Sequence, residues 1–234
     1  MIKMIVCSFY NTLINDEEAI PTTTMLEIER LKKKGIIFAI CTNDLYQDVL
    51  DYNRDFPFMD YIISLNGSYV YDVERKRCLF KSKLSLPNLK KVKEYFDPEK
   101  TTYYTDNNSF QKITNNLEQS IYKVEVEITD EEELSKIKKM NITTSMINKH
   151  GKDLLEITSN KGNMFSGIDQ ISLKTGISLK DILVIGANES DYSLITNITN
   201  SYRMANSCEK LKQTKAKKTL SNNEKGVEKI LKSL

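Results

Sequence analysis

The sequence predicts an α/β protein: a parallel-sheet core interrupted by an inserted α+β unit. Three observations carry this expectation. In the first third, short and wholly apolar runs alternate with segments of helical period, as strands buried on both faces of a parallel sheet do. The middle of the chain has a strand of alternating polarity, the mark of an antiparallel sheet with one covered face. Apolar runs and helical periods then resume. The expected division is a core of residues 1–81 and 153–234 and an insertion of residues 82–152.

The elements follow in order. Ile2 to Phe9 reads as a buried strand. Pro21 suits the start of a helix on which Met25, Ile28 and Leu31 share a face, and Gly35 ends it. Ile36 to Ile40 is a second apolar strand, a helix through Leu45, Val49 and Tyr52 follows, and Tyr61 to Ser64 is a third strand. Asn66-Gly67 marks a turn, and Tyr69–Tyr71 and Cys78–Phe80 flank a charged turn as a hairpin. In the insertion, helix 86–96, strand 102–105, strand 121–128, helix 131–140 and strand 142–147 are expected. Tyr122, Val124, Val126 and Ile128 alternate with Lys123, Glu125 and Glu127, so that strand is expected to turn its charged face to solvent. A helix over 163–175 ending at Gly176, a strand Ile182–Ile185, a helix near 189–195 and a last helix 225–231 complete the chain.

Composition excludes several classes. With 34 basic against 32 acidic residues the net charge is +2, too small a field for a dedicated nucleic-acid binder. No apolar run approaches the ~20 residues a membrane span needs, and the opening Met1 to Val6 reads as strand rather than leader. The four cysteines are scattered with no Cys-x-x-Cys pair, which disfavours a disulfide framework or zinc site. A soluble cytoplasmic protein is expected, with neither nucleic acid nor membrane as partner.

In an open parallel sheet, ligands bind where carboxyl ends of strands meet loops. Three such ends are legible: Ser8 to Thr12, Thr42 to Asp44, and Gly186 to Asp191. On these stretches, together with Tyr61-Ile62-Ile63-Ser64-Leu65-Asn66-Gly67, Gly176-Ile177-Ser178 and Lys225-Gly226-Val227, the chain resembles the haloacid dehalogenase (HAD) superfamily. The resemblance is to its Cof-type (subfamily IIB) phosphatases. It implies a Rossmann-like core with an inserted C2-type α+β cap, and a phosphatase site at the strand ends.

The family's catalytic residues do not carry over. Its first motif, Asp-x-Asp-Gly-Thr-Leu, is here Ser8-Phe9-Tyr10-Asn11-Thr12-Leu13, so Ser8 stands for the nucleophile and Tyr10 for the general acid/base. Thr42 of the second motif remains, but the following Gly-Arg is Asn43-Asp44. The third-motif Lys falls on Met164, with Lys161 nearby as the replacement cation. The fourth motif, Gly-Asp-x-x-x-Asp, is Gly186-Ala187-Asn188-Glu189-Ser190-Asp191, which retains only the second aspartate.

The chemistry of phosphoryl transfer gives these changes their meaning. It needs an in-line nucleophile, an acid, and positive charge over the equatorial oxygens. A serine hydroxyl needs an adjacent base, and His150, the single imidazole, lies outside the motifs in a turn-like stretch. Magnesium wants several oxygen ligands, whereas Ser8 and Ala187 replace two of three family carboxylates. No cofactor is therefore expected, and Mg²⁺ only as a weak ligand of Asp191, with the Tyr10 carbonyl, Glu189 and Asp44 as further oxygens. Thr12, Thr42, Asn43, Asn66, Lys161 and Asn188 are the expected ligand-binding residues. The expected function is a phosphatase fold that has lost turnover and binds a small metabolite in the cleft or a protein partner. The alternative is a divergent phosphatase of small phosphorylated metabolites such as sugar phosphates, with Ser8 or water as nucleophile. A third reading places a partner on the basic stretch Lys212 to Lys218.

Overall fold

The computed structural model describes residues 1–54, 56–111, 120–128, 131–149 and 151–234. The expected solvated tip at His150 lies outside the described residues, as does part of the polar segment before residue 120.

The larger sheet is built on apolar strands with both faces covered. β1 (Met4–Ser8) sits near its middle, with β2 (Ile37–Cys41) and β3 (Tyr61–Ser64) following in parallel on one side. Between them run α1 (Thr22–Lys33) and α2 (Tyr46–Leu50). β4 (Tyr69–Asp72) and β5 (Arg77–Lys81) extend the same edge as antiparallel strands. The chain then leaves this sheet for the insertion.

In the insertion, α3 (Leu86–Tyr95), β6 (Thr101–Tyr104), β7 (Ser109–Gln111), β8 (Lys123–Glu127), α4 (Glu131–Ile137), β9 (Ile142–Lys149) and β10 (Lys152–Ser159) build a second sheet, in the order β7-β6-β8-β10-β9. All its pairings are antiparallel. α5 (Met164–Thr175) brings the chain back. Then β11 (Ile182–Gly186), α6 (Tyr192–Asn197), β12 (Asn200–Arg203), α7 (Glu209–Lys212), β13 (Lys217–Lys218) and α8 (Gly226–Leu231) complete the larger sheet, ordered β13-β12-β11-β1-β2-β3-β4-β5.

Strand alternation splits the core in two. Ile5, Cys7, Phe38, Ile40, Leu183 and Ile185 face α1 and α8, whereas Met4, Val6, Ala39, Cys41 and Val184 face α5 and α6. A third cluster, with Val124, Val126, Leu155 and Ile157 against Leu89 and Val92 of α3, is the cap's own core. The cap therefore has one apolar face under helices and one face turned to the larger sheet.

The structure corrects the sequence reading at three points. β10 runs Lys152–Ser159 and pairs with β8 and β9, so it belongs to the cap sheet, and the return to the core comes later than the expected boundary at 153. The charged face of β8 is not solvated. Lys123 is fully buried and Glu125 nearly so, because the loops of the larger sheet cover that face. β12 and β13 were not foreseen, since Asn200–Arg203 and Lys217–Lys218 offer no apolar run, and they pair in parallel at the sheet's far edge. On the basic stretch, Lys212 pairs with Glu209 at 2.6 Å and the Lys217 ammonium lies over the Tyr202 ring.

Candidate active-site cleft between core and cap

The three strand ends read from the sequence do come together. β1 ends at Ser8, β2 runs into Thr42-Asn43-Asp44, and β11 ends at Gly186, all on one edge of adjacent parallel strands. After β1 the chain turns sharply, with Asn11 at φ 59°, a left-handed conformation that asparagine tolerates better than most residues. Asn11 and Asn188 lock this turn to the end of β11. Asn11 Nδ2 donates to Asn188 Oδ1 at 2.9 Å, and Asn188 Nδ2 donates to the Tyr10 carbonyl at 3.1 Å.

Asp191 lies beneath this lock, completely buried. Its Oδ2 accepts the backbone N–H groups of Ala187 and Asn188 at 2.9 Å each, and its Oδ1 is buried without a partner among the described residues. Burial pushes its carboxyl up to about 6, against the pull of those N–H groups and the nearby Ser8 hydroxyl. Gly186 is required beside it, since a Cβ there would stand 2.7 Å from Asp191 Cβ. Ser8 and Thr12 are also buried, and the Thr12 hydroxyl has no partner among the described residues. Thr42 Oγ1 accepts the Asp44 N–H at 3.1 Å, so it stabilises its own loop. Burial, with Asp44 adding to it, pushes the Tyr10 phenol up and makes it a poorer proton donor than an ordinary tyrosine.

The expected replacement for the lost cation makes no side-chain hydrogen bond or ion pair to this edge among the described residues. Lys161 is exposed on the turn between β10 and α5, and among the described residues its one hydrogen bond is from its backbone N–H to Ser159 Oγ. Met164, where a lysine was expected to be missing, is buried in the core at the start of α5, capped by Asn163 Oδ1 accepting the Ser166 N–H at 3.0 Å. Burying a methionine contributes roughly 1.5–3 kcal/mol. The position has become structural.

The cap supplies what the sequence reading missed. Lys123 Nζ donates to the Asn43 carbonyl at 2.5 Å and to Glu125 Oε1 at 2.5 Å, reaches Glu156 Oε1 at 3.2 Å, and lies over the Tyr104 ring at 4.2 Å. Glu156 Oε2 accepts from Asn43 Nδ2 at 2.9 Å, Asn66 Nδ2 at 2.7 Å and Ser145 Oγ at 2.8 Å. Burial would lower the Lys123 amine, but Glu156 and Glu125 outweigh it and raise it, so the ammonium stays charged. Burial pushes Glu156 up, opposed chiefly by Lys123, with the Asn66 and Ser145 donors on the same side. Asp44 pairs with Lys149 of β9 at 3.2 Å. One signal in the sequence marked this network: Glu156 interrupts the otherwise apolar run Leu154–Ile157.

Asn66 belongs to the same assembly rather than to an open ligand site. Leu65, Asn66 and Gly67 have φ of 50°, 56° and 87°, a tight left-handed loop that aims the Asn66 amide at the cap. Its Oδ1 is buried without a partner among the described residues.

A hard divalent ion needs several free oxygens in near-octahedral array. The Tyr10 carbonyl already accepts Asn188, Glu189 pairs with Lys210 at 2.8 Å and Asp44 with Lys149, and among the described residues Asp191 Oδ1 is the one buried carboxylate oxygen without a partner. Among the described residues no three His, Cys, Asp or Glu side chains are grouped to hold a metal. The donor set does not fit Mg²⁺. No helix among the described residues is long and apolar enough to cross a membrane.

Comparison with known proteins agrees with this architecture. The chain is 23% identical, over 98% of its length and 94% of the other's, to the 5-amino-6-(5-phospho-D-ribitylamino)uracil phosphatase YcsE of Bacillus subtilis (strain 168). A solved HAD subclass IIB sugar phosphatase superposes with a TM-score of 0.85 at 18% identity, covering 99% of this chain and 98% of that one. A haloacid dehalogenase-like hydrolase from B. subtilis superposes with a TM-score of 0.86 at 16% identity over the whole of both chains. The family profile described as haloacid dehalogenase-like hydrolase matches residues 5–109 and 95–231. With the profile spanning nearly the whole chain, and with a parallel core carrying an inserted cap, this protein belongs to the haloacid dehalogenase-like hydrolase family.

Proposed function

We propose that this chain is a haloacid dehalogenase-fold protein that has lost aspartate-based phosphatase turnover, and that it acts in the cytoplasm by binding a small metabolite in the cleft or a protein partner. The observation that carries this reading is the content of the cleft edge. Ser8, Tyr10, Met164 and Ala187 occupy the catalytic positions, Met164 is core, and the cap's Lys123 is spent on Glu125, Glu156 and the Asn43 carbonyl. The one base beside Ser8 is the buried Asp191 carboxyl, and among the described residues the cations that reach this edge, Lys123 and Lys149, are already paired and no metal-binding set is grouped, which leaves little to stabilise a transferring phosphoryl group. Neither a resident cofactor nor a nucleic-acid or membrane partner enters this reading.

The activities of the similar proteins favour a second reading, a divergent phosphatase of small phosphorylated metabolites. It needs Ser8 or a water as nucleophile and a cation brought in by movement of the cap or of Lys161. One experiment separates the two. Purified protein is assayed with an aryl phosphate and a panel of sugar phosphates in Mg²⁺. The binding reading expects background rates, and turnover that Ser8→Ala abolishes would overturn it.

A further inference from the structure

We infer that the far flank of the larger sheet holds a second ligand site, a cavity over β12 between α6 and α7 that takes a small organic phosphate. Its origin lies in the chain. β12 ends at Arg203 and its parallel neighbour β13 begins at Lys217, and of the residues between them only Glu209–Lys212 form a helix. A crossover between parallel strands ordinarily carries a longer helix, which covers the face of the sheet. Here a single turn, anchored by the buried Leu211, covers only part of β12. What it leaves open is a cavity of about 710 Å³, inside the range of ~300–1,000 Å³ that ligand pockets occupy. None of Ser8 to Thr12 or Thr42 to Asp44 lines it, so it is separate from the cleft.

The lining suits an anion with a carbon skeleton. Ser201 of β12 is the register partner of Val184, which faces α5 and α6 together with Met4, Val6, Ala39 and Cys41. A hydroxyl therefore stands on a face that those strands keep apolar. Ser201 is 6% exposed and its Oγ makes no hydrogen bond among the described residues, so its unspent donor opens on the cavity. Thr199 and Gln213 add polar groups whose side chains are likewise without a partner among the described residues. Lys215, exposed in the basic stretch, makes no ion pair among the described residues. Lys210 pairs with Glu189 at 2.8 Å and lies 5.0 Å from the centre of the Tyr192 ring. No carboxylate is among the described residues that line the cavity. Two ammonium groups match the double charge of a phosphate monoester, and the hydroxyl and amide groups match its oxygens. Ile195 and Ile198 form an apolar wall for the carbon skeleton.

The site does not depend on whether the cleft binds or turns over its own ligand, and its test needs no activity. Amide resonances of the isotope-labelled full chain are followed at constant ionic strength during titration with ribose 5-phosphate, inorganic phosphate and ribose. Ribose 5-phosphate is expected to shift the amides of Thr199, Ser201, Gln213 and Lys215 saturably, with half-saturation below about 1 mM. Ribose should leave them in place, and inorganic phosphate should bind several-fold more weakly because it leaves the apolar wall unused. Lys215→Glu should weaken the binding of ribose 5-phosphate about tenfold, and Ser201→Ala about threefold or more. Ser8→Ala, in the cleft, should leave these shifts unchanged. Shifts confined to the amides around Ser8 to Asp44 would overturn this site while leaving the cleft reading intact. An absence of saturation, an equal response to inorganic phosphate, or indifference to Lys215→Glu would overturn it as well. If the Ser201 variant does not fold, Lys215→Glu decides by itself, since Lys215 is exposed.

Discussion

Asn43 and Glu156 meet across the gap between the two domains, the amide donating to the carboxylate at 2.9 Å while the Asn43 carbonyl holds the ammonium that neutralises that same carboxylate. Core and cap thus meet at a buried cluster of one lysine and two carboxylates, all carried by the cap, which Asn43 caps from the core. Separating them exposes two carboxylates and a lysine at once. Breaking such a unit from one side is costly, because what remains is an uncompensated charge in a low-dielectric place.

Lys123→Met is accordingly expected to destabilise the protein by about 3–5 kcal/mol in urea unfolding at pH 7. Glu125 and Glu156 would then lie buried and unpaired, so the deficit should shrink as the pH is lowered and they take up protons. A loss under about 1 kcal/mol would mean that water already reaches these groups.

Asp191→Asn should stabilise the protein at neutral pH. The folded carboxyl titrates at about 6, above its ordinary value of 3.8, so between these pH values the folded state holds more protons than the unfolded. The stability of the parent protein therefore falls as pH rises through that window. The variant escapes the loss, which is of order 2–3 kcal/mol at pH 7. Its advantage should vanish as pH falls from 6 towards 4. An advantage independent of pH would assign the effect to packing.

Millimolar Mg²⁺ should leave the melting temperature unchanged, since an ion that binds the folded state stabilises it by mass action and Asp191 alone is a poor host. Thermal unfolding with and without the ion measures this. An upward shift that Asp191→Ala removes would revive metal-assisted chemistry.

Gly67→Ala should be strongly destabilising. Its φ of 87° disfavours any side chain, and a Cβ would stand 2.1 Å from the Asn163 carbonyl oxygen, backbone that cannot step aside without moving the start of α5. A cost of about 2 kcal/mol or more is expected from chemical denaturation. Gly35→Ala, with φ 77° but open space around it, should cost only the ~1 kcal/mol of its conformation, and the difference between the two isolates the clash.

Most of the core was legible in the sequence because both faces of a parallel sheet are covered, which leaves runs such as Met4–Cys7 and Ile182–Ile185 with no polar residue. Strands at the far edge lack that constraint, and Asn200–Arg203 gave no signal. The assembled strand ends were also legible, because they follow from strand order. The buried charge cluster of the cap was not. Alternation on β8 says that Lys123 and Glu125 share a face, but it does not distinguish water from another domain beyond that face. Likewise Lys161, four residues upstream of Phe165 and close in sequence to the expected cation position, points to solvent because the turn before α5 is fixed by Asn163.

The insertion also dictates an order of events when the chain folds. Met4 to Cys7 pair with Ile182 to Ile185, so β1 waits for a partner that follows the whole cap in sequence. Until β11 arrives, one edge of a strand that is apolar up to Ser8 lies open, a template for pairing with other chains. Contacts of such long sequence separation form slowly, whereas the cap's antiparallel strands are closer together along the chain. During synthesis the cap can therefore close first and draw the ends of the interrupted sheet together. Nascent chains stopped before residue 182 should be the species most in need of a chaperone.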